Sequence, residues 1–130
     1  MAIQNQGYQI KVHYAGGDDS VPTATVTIKD VDGSEVGHDA AVSGNGPVNA
    51  ICNAIERILG DSIKLVDFKV DTVAAGHESV GKATVLVRHN GKDYPGSAEN
   101  TDTIIASARA IMDALNKRPA FDASVAVHTV

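Results

Sequence analysis

The sequence predicts an α+β fold built from two copies of one unit, in which three β-strands are followed by one α-helix. Segments of alternating apolar and polar residues occur in two groups of three, and each group precedes a segment of helical periodicity. Turn signals separate the strands. Two related units usually pack so that each covers the other's open face. We therefore expect a pseudo-twofold relation between them, with the helices packed on antiparallel sheet.

The first unit covers residues 8–60 and follows a short N-terminal extension, residues 1–7. Three of its segments alternate between apolar and polar side chains, which predicts half-buried strands. These segments are residues 8–14, 23–30 and, more weakly, 35–42. A glycine- and aspartate-rich turn at residues 15–20 and an Asp32-Gly33 hairpin turn separate the strands.

A helix is predicted to close the first unit, because the apolar spacing becomes helical between Val48 and Leu59. Pro47 suits the first helical position, where its missing N–H costs nothing, and Gly60 suits the C-terminal cap. The single cysteine, Cys52, lies on the apolar stripe of this helix. We interpret it as a small buried hydrophobic residue.

The second unit, residues 61–118, repeats this plan and is followed by a tail, residues 119–130; together the two units form one domain. Its strands are predicted at residues 63–75, 82–89 and 92–98. The apolar positions of the first of these strands switch from odd to even near Val66, which predicts a β-bulge or a strand covered on both faces. Asn90-Gly91 is a strong two-residue hairpin turn, and Asp102 is a good N-cap for the second helix.

Composition and charge argue against several classes of function. Sixteen acidic and eleven basic residues give a net charge of −5, and the basic residues are scattered, so a nucleic-acid partner is disfavoured. No apolar run approaches the roughly 18 residues of a membrane-spanning helix, and the N-terminus does not resemble a signal peptide. A single cysteine excludes an intramolecular disulfide and fits a reducing, cytoplasmic compartment.

The residues that could carry catalysis are too scattered to predict an enzyme. None of the five histidines has the spacing of a metal ligand relative to another His, Cys or carboxylate. Ser43 and Ser107 lack the surroundings of a nucleophile elbow, and Cys52 lies in the middle of a helix. The turn aspartates match no calcium-binding loop, so we interpret them as solvated turn residues. They are Asp18, Asp19, Asp30 and Asp32.

The starts of the two predicted helices offer complementary groups. The turn from Gly44 to Pro47 leads into the first helix, whose backbone N–H groups can hold an anion. The start of the second helix carries the Asp102 carboxylate. If a pseudo-twofold axis relates the units, a zwitterion can place its carboxylate on the first start and its ammonium near Asp102. Two ordinary caps explain the same residues equally well, so both interpretations stay open.

Three ordered motifs resemble the C-terminal regulatory domain of the 2-isopropylmalate synthase family, to which citramalate synthases are related. The motifs are residues 44–50, residues 65–70, and residues 102–108 with their continuation through 114–116. The resemblance covers about residues 8–117. It implies two β-β-β-α units per chain, a homodimer, and binding of leucine as feedback inhibitor of leucine biosynthesis, or of isoleucine in the citramalate synthases.

The resemblance also implies where the amino acid binds. Backbone N–H groups at the start of the first helix would receive its carboxylate, and Asp102 would lie near its ammonium. The implied effector site consists of Gly46, Pro47, Val48, Asn49, Leu65, Phe68, Thr72 and Asp102. Phe68 stands where family members often carry Tyr, and Asn49 and Thr72 replace smaller residues in some relatives. The departures at Phe68 and Asn49 motivate a second hypothesis, a dimerisation module that has kept the fold and lost its ligand.

No catalysis, metal or cofactor is predicted for this chain alone. In the family, the divalent metal and the acyl transfer from acetyl-CoA to 2-oxoisovalerate belong to a separate catalytic barrel, for which 130 residues leave no room. That barrel, a second copy of the chain and a branched-chain amino acid are the implied partners. Four questions stay open: which amino acid binds, how the dimer is arranged, what residues 119–130 do, and whether the chain is an excised domain or a stand-alone protein. A small enzyme built on His77 or His89 is the third alternative.

Overall fold

The computed structural model of the protein describes residues 7–17, 20–42, 46–72 and 79–118. In these segments three strands precede a helix, twice, as predicted. The elements are β1 Gln9–Gly17, β2 Ser20–Lys29, β3 Glu35–Val42, α1 Pro47–Leu59, β4 Lys64–Thr72, β5 Gly81–His89, β6 Lys92–Asn100 and α2 Thr103–Asn116. The predicted extension, apart from Gly7, and the predicted tail lie outside the described residues. Neither described helix is long and apolar enough to cross a membrane.

The strands form two antiparallel sheets of three strands, in the orders β1-β2-β3 and β4-β5-β6. The helix α1 packs on β2 and β3, and α2 packs on β5 and β6. The helix α2 also contacts β1, which belongs to the first unit, and the two helices touch each other. The two units are therefore joined mainly through α2.

The core consists of the inward-facing residues of the two central strands and the apolar stripes of the two helices. The two sheets contribute Ala24, Val26, Ile28, Ala83, Val85 and Val87, and the helices contribute Ile51, Ile55, Ile111 and Leu115. All of these side chains are buried. The segments around Val26 and Val85, which match in the sequence, occupy equivalent positions in their sheets. Each buried valine or isoleucine contributes roughly 1.5–3 kcal/mol relative to an exposed one.

The predicted local signals are confirmed at several positions. The register between β4 and β5 shifts between Leu65 and Asp67, so the bulge lies at Val66. Asn90 and Gly91 have φ of 52° and 78°, as a type I′ hairpin turn requires. Gly60 ends α1 in the left-handed conformation, with its N–H donating to the carbonyl of Glu56.

The predicted turn at residues 15–20 is wrong in its extent. Ala15, Gly16 and Gly17 continue β1, and Gly17 pairs with Ser20, the first residue of β2. The pairing includes an irregularity between Ala15 and Gly17, which is where glycine tolerates a local change of register. Cross-strand pairing therefore extends through residues whose composition is typical of a loop. Asp18 and Asp19 lie outside the described residues.

The turn aspartates are confirmed as turn residues where the structure describes them. Asp32 Oδ1 accepts hydrogen bonds from Ser34 Oγ at 2.6 Å and from Ser34 N at 2.9 Å. The Ser34 hydroxyl, and secondarily its N–H, lower the pKa of Asp32. Asp30 Oδ1 accepts a bond from Val31 N.

The helix α2 lies directly against the backbone of β6 at Gly96. A Cβ added to Gly96 would lie 2.6 Å from Ala114 N and closer still to the carbonyl oxygen of Ala110. Side chains of α2 also bond to the neighbouring positions of β6. Asp113 Oδ2 accepts a hydrogen bond from Ser97 N at 3.0 Å. This contact fixes the distance between α2 and its sheet.

Candidate functional site

The start of α1 is a glycine-capped helix N-terminus. Gly46 is the N-cap and has φ of 109°, a conformation that favours glycine. No side chain caps this helix, and its first turn contains no acidic residue. Pro47 occupies the first turn as predicted, Val48 packs against the core, and Asn49 is exposed. The positive end of the α1 dipole is therefore not neutralised by a side chain of its first turn.

Asp102 caps α2, as predicted. Its Oδ1 atom accepts hydrogen bonds from Ile104 N at 2.8 Å and Ile105 N at 3.2 Å. Asn100 Oδ1 in turn accepts a bond from Asp102 N at 2.8 Å, which holds the capping residue in place. Both capping bonds end on Oδ1 and the residue is exposed, so Oδ2 can accept a further donor.

The structure brings Thr72 and Asp102 to the same end of the second sheet. Thr72 pairs with Gly81, and Gly81 pairs with Asn100, two residues before Asp102. A Cβ added to Gly81 would lie 2.8 Å from Thr103 Cγ2, so the start of α2 packs closely on this end.

The other predicted site residues lie elsewhere in the fold. Leu65 is at the opposite end of β4 from Thr72, is half-buried and packs against the core. Phe68 lies in the middle of β4. The start of α1, at Gly46, belongs to the other unit. Residues 43–45, which precede Gly46 in the sequence, and residues 73–78, which follow Thr72, lie outside the described residues.

An apolar row on β4 was not foreseen as a functional feature. Val66, Phe68 and Val70, here called the β4 stripe, are each 38% exposed. The cross-strand pairs put Phe68 beside the buried Val85 and Val70 beside the buried Ala83, so these two share one face, and Val66 lies next to them at the bulge. The helix α2 covers β5 and β6, and β4 packs mainly on β5. The even-numbered apolar positions after Val66 were the available signal.

A cavity of about 490 Å³ lies between β1 and α2. Its walls include Lys11, Lys29 and Arg109, and none of the predicted effector residues lines it. Sequence analysis missed this cavity because its two walls come from opposite ends of the chain.

The histidine alternative gains little from the structure. His89 Nε2 lies 3.5 Å from Asp61 Oδ2, too far for a well-formed hydrogen bond. The same carboxylate oxygen lies 3.6 Å from Nη1 of Arg118, whose Nε donates to the carbonyl of Leu115. Asp61 therefore ties the segment after α1 to the end of α2, which is a structural role. His77 lies outside the described residues. In the part of the chain that the structure describes, no three His, Cys, Asp or Glu residues are placed to hold a metal ion.

Cys52 is buried, as predicted, and we expect its thiol to be unreactive in the folded protein. Burial, with a smaller contribution from the Glu56 carboxylate, raises the pKa of Cys52 from 9.0 to about 12. The reactive thiolate is therefore scarce at neutral pH, and a thiol reagent such as DTNB should react only after unfolding. Reaction rates in native buffer and in denaturant test this, and equal rates would contradict it.

The same pKa difference predicts how stability depends on alkaline pH. The folded-state pKa of Cys52 is higher than the unfolded-state pKa, so the unfolded state loses its thiol proton first as the pH rises. The contribution of Cys52 to stability is then complete below pH 9.0 and is lost as the pH rises towards about 12. Cys52→Ser should flatten the alkaline side of the stability curve measured by denaturant unfolding, and an unchanged slope there would contradict the assignment.

Comparison with known proteins identifies the family. A family model described as "LeuA allosteric (dimerisation) domain" matches residues 4–118. Over 116 residues the chain is 43% identical to a 2-isopropylmalate synthase of Thermosynechococcus vestitus, a match covering 88% of this chain and 21% of that protein. Over 106 residues it is 47% identical to a 2-isopropylmalate synthase of Trichodesmium erythraeum, covering 82% and 19% respectively. The chain thus spans about a fifth of the length of the curated relatives it matches.

The family match covers nearly the whole described chain, including both β-β-β-α units and both helix starts. It agrees with the resemblance that the three sequence motifs carry. The chain belongs to the family of LeuA allosteric (dimerisation) domains, the regulatory domain of 2-isopropylmalate synthase.

Proposed function

We propose that this chain is the leucine-sensing domain of a 2-isopropylmalate synthase and transmits feedback inhibition to a catalytic barrel elsewhere in the parent enzyme. The observation that carries the proposal is the pair of helix starts, one with backbone donors and no side-chain cap, the other with a carboxylate oxygen left over. An α-amino acid carries the two groups that match them. The family is described as allosteric, which fits a ligand that acts without being transformed.

In this proposal each part of the amino acid has its own partner. The carboxylate binds backbone N–H groups at the start of α1, where the helix dipole favours an anion. The ammonium binds Asp102 Oδ2, and the alkyl side chain lies against Thr72, which shares that end of the second sheet, and extends towards Phe68. An apolar wall contributes about 0.8 kcal/mol for each buried methylene, so leucine, isoleucine and valine differ in affinity by small steps.

A homodimer is the second part of the proposal, and the β4 stripe supports it. Apolar side chains in a row on an edge strand are a surface that proteins usually cover. A second copy of the chain would cover the stripe and add to the wall around Phe68. The match covers only 21% of the first of these relatives, so we place the catalytic barrel in the remainder of the parent protein.

The test is calorimetric titration of the chain with leucine, isoleucine and valine, using two variants of Asp102. Asparagine caps helices as well as aspartate does, so Asp102→Asn should keep the fold while removing the charge that binds the ammonium. We expect leucine affinity to fall at least tenfold, which corresponds to a loss of about 1.4 kcal/mol in binding free energy. Asp102→Ala should in addition lower the free energy of unfolding by about 1 kcal/mol through loss of the cap.

The outcomes separate the candidate functions. Saturable leucine binding that Asp102→Asn weakens supports the leucine sensor. Binding of isoleucine in preference to leucine favours the regulatory domain of a citramalate synthase instead. If none of the three amino acids binds, a dimerisation module without a ligand is favoured. Unchanged leucine affinity in Asp102→Asn would show that the ammonium partner is wrongly assigned.

A further inference from the structure

We propose that the cavity between β1 and α2 is a second binding site, which takes a small organic anion with two acidic groups and a short apolar body. This groove is separate from the proposed effector site, because none of its lining residues belongs to that site. The proposal does not depend on leucine binding. It rests on the shape of the groove, its charge and its apolar floor.

The groove exists because an edge strand of one unit runs beside the helix of the other. The strand β1 pairs only with β2 among the described strands, and it also contacts α2. Asn116, which lines the groove, makes two hydrogen bonds to the backbone of Tyr8, the residue before β1. Its Oδ1 accepts from Tyr8 N at 2.9 Å, and its Nδ2 donates to Tyr8 O at 2.8 Å. This double hydrogen bond joins α2 to the strand and fixes the width of the groove.

Three cations line this groove. Lys11, Lys29 and Arg109 line it, and in the part of the chain that the structure describes none of the three forms an ion pair or a side-chain hydrogen bond. The one carboxylate of the lining, Asp113, already accepts a bond from Ser97 N and lies 3.7 Å from Lys117 Nζ. A local excess of positive charge in a chain of net charge −5 favours an anionic ligand.

The chemistry of the lining narrows the ligand class. Ile10 and Met112 are buried and provide an apolar floor. The guanidinium of Arg109 can bind a carboxylate through two parallel hydrogen bonds, while lysines act as point charges. A volume of about 490 Å³ lies within the range of small-molecule sites. A branched dicarboxylate and a phosphate monoester both have two negative charges and an apolar part, which is the shared chemistry that we propose.

The experiment is an NMR and calorimetric titration of the chain with three probes at constant ionic strength. The probes are 2-isopropylmalate as a branched dicarboxylate, succinate as a dicarboxylate without the branch, and inorganic phosphate. We expect one saturable site per chain, tightest for 2-isopropylmalate, with shifted backbone signals along β1 and α2. If inorganic phosphate binds most tightly, the apolar floor has no role in binding. If none of the three probes binds, the groove is not a binding site and the proposal is overturned.

Matched variants locate the site. Arg109→Gln and Lys11→Gln each remove one cation of the groove, and affinity should fall roughly tenfold, the value of one charge-assisted contact. Lys64→Gln removes an exposed lysine on β4, outside the groove, and should leave affinity unchanged. Equal losses in all three variants would reduce the binding to net charge and overturn the proposal. If leucine displaces the anion, the groove and the proposed effector site are not separate sites. This outcome is distinct from the test of leucine sensing itself, because it concerns only where the anion binds.

Discussion

Replacing Gly96 with alanine should remove a large part of the folding stability of this protein. The new Cβ would meet two backbone atoms of α2, Ala114 N at 2.6 Å and the Ala110 carbonyl oxygen at a shorter distance. Backbone atoms cannot rotate away as side chains do, so α2 must move off the sheet and give up buried contacts. Overpacking of this kind usually costs about 1–3 kcal/mol, and we expect about 3 kcal/mol or more here. Urea unfolding followed by circular dichroism measures the change.

Gly37→Ala is the matched control for this prediction. Gly37 also lies within a strand, and its φ is not in the left-handed region. A Cβ added there would lie 3.0 Å from the Cγ2 methyl of Ile58, a side-chain atom that has to give by only a few tenths of an ångström. We expect a change within about 1 kcal/mol, because alanine also reduces the conformational entropy of the unfolded chain. Equal losses in the two variants would contradict the close approach of α2 to β6.

An aspartate at Val70 should convert the proposed homodimer into a monomer. Val70 belongs to the exposed β4 stripe, and covering it would bury an apolar side chain worth roughly 1.5–3 kcal/mol. A carboxylate in its place loses that gain and adds the cost of desolvating a charge without a partner. We expect the dimer dissociation constant to rise at least about 100-fold. Analytical ultracentrifugation over a series of concentrations measures it.

Lys69→Asp controls for the effect of an aspartate in the same strand. Lys69 is adjacent to Val70, so its side chain points to the opposite face, where it lies 3.3 Å from Asp71 Oδ2. We expect the dimer to persist in this variant, since the loss of an exposed ion pair is worth less than about 1 kcal/mol. Dissociation by Lys69→Asp but not by Val70→Asp would place the interface on the other face of the sheet. A monomeric parent chain would contradict the homodimer itself.

Most of the secondary structure could be predicted because its signals are local. The helical spacing from Val48 to Leu59, the left-handed Gly60 and the Asn90-Gly91 turn depend on neighbours within a few residues. The change of apolar face near Val66 likewise located the bulge. The prediction was wrong at Ala15–Gly17, where pairing with the next strand outweighed a composition typical of turns.

The candidate effector site was predictable only in its parts. Pro47 was predicted at the first position of α1 and Asp102 as the N-cap of α2, and both predictions are confirmed. Whether two starts in different units face one ligand depends on how the units pack, and capping signals contain no information about that. The placement of Thr72 beside the start of α2 came from the register of β4, β5 and β6.

Residue order and apolar periodicity were therefore sufficient for the element order, the repeat, the caps and the family, because each depends on short-range stereochemistry or on motifs that lie along the chain. Tertiary packing alone decided that α2 leaves the β4 stripe uncovered and that Asn116 clasps Tyr8 across 108 positions of sequence. It also decided that three cations line one groove. Contacts of this kind depend on how the two units pack against each other. That packing is determined by the shapes of their folded surfaces, which no short segment of the sequence specifies.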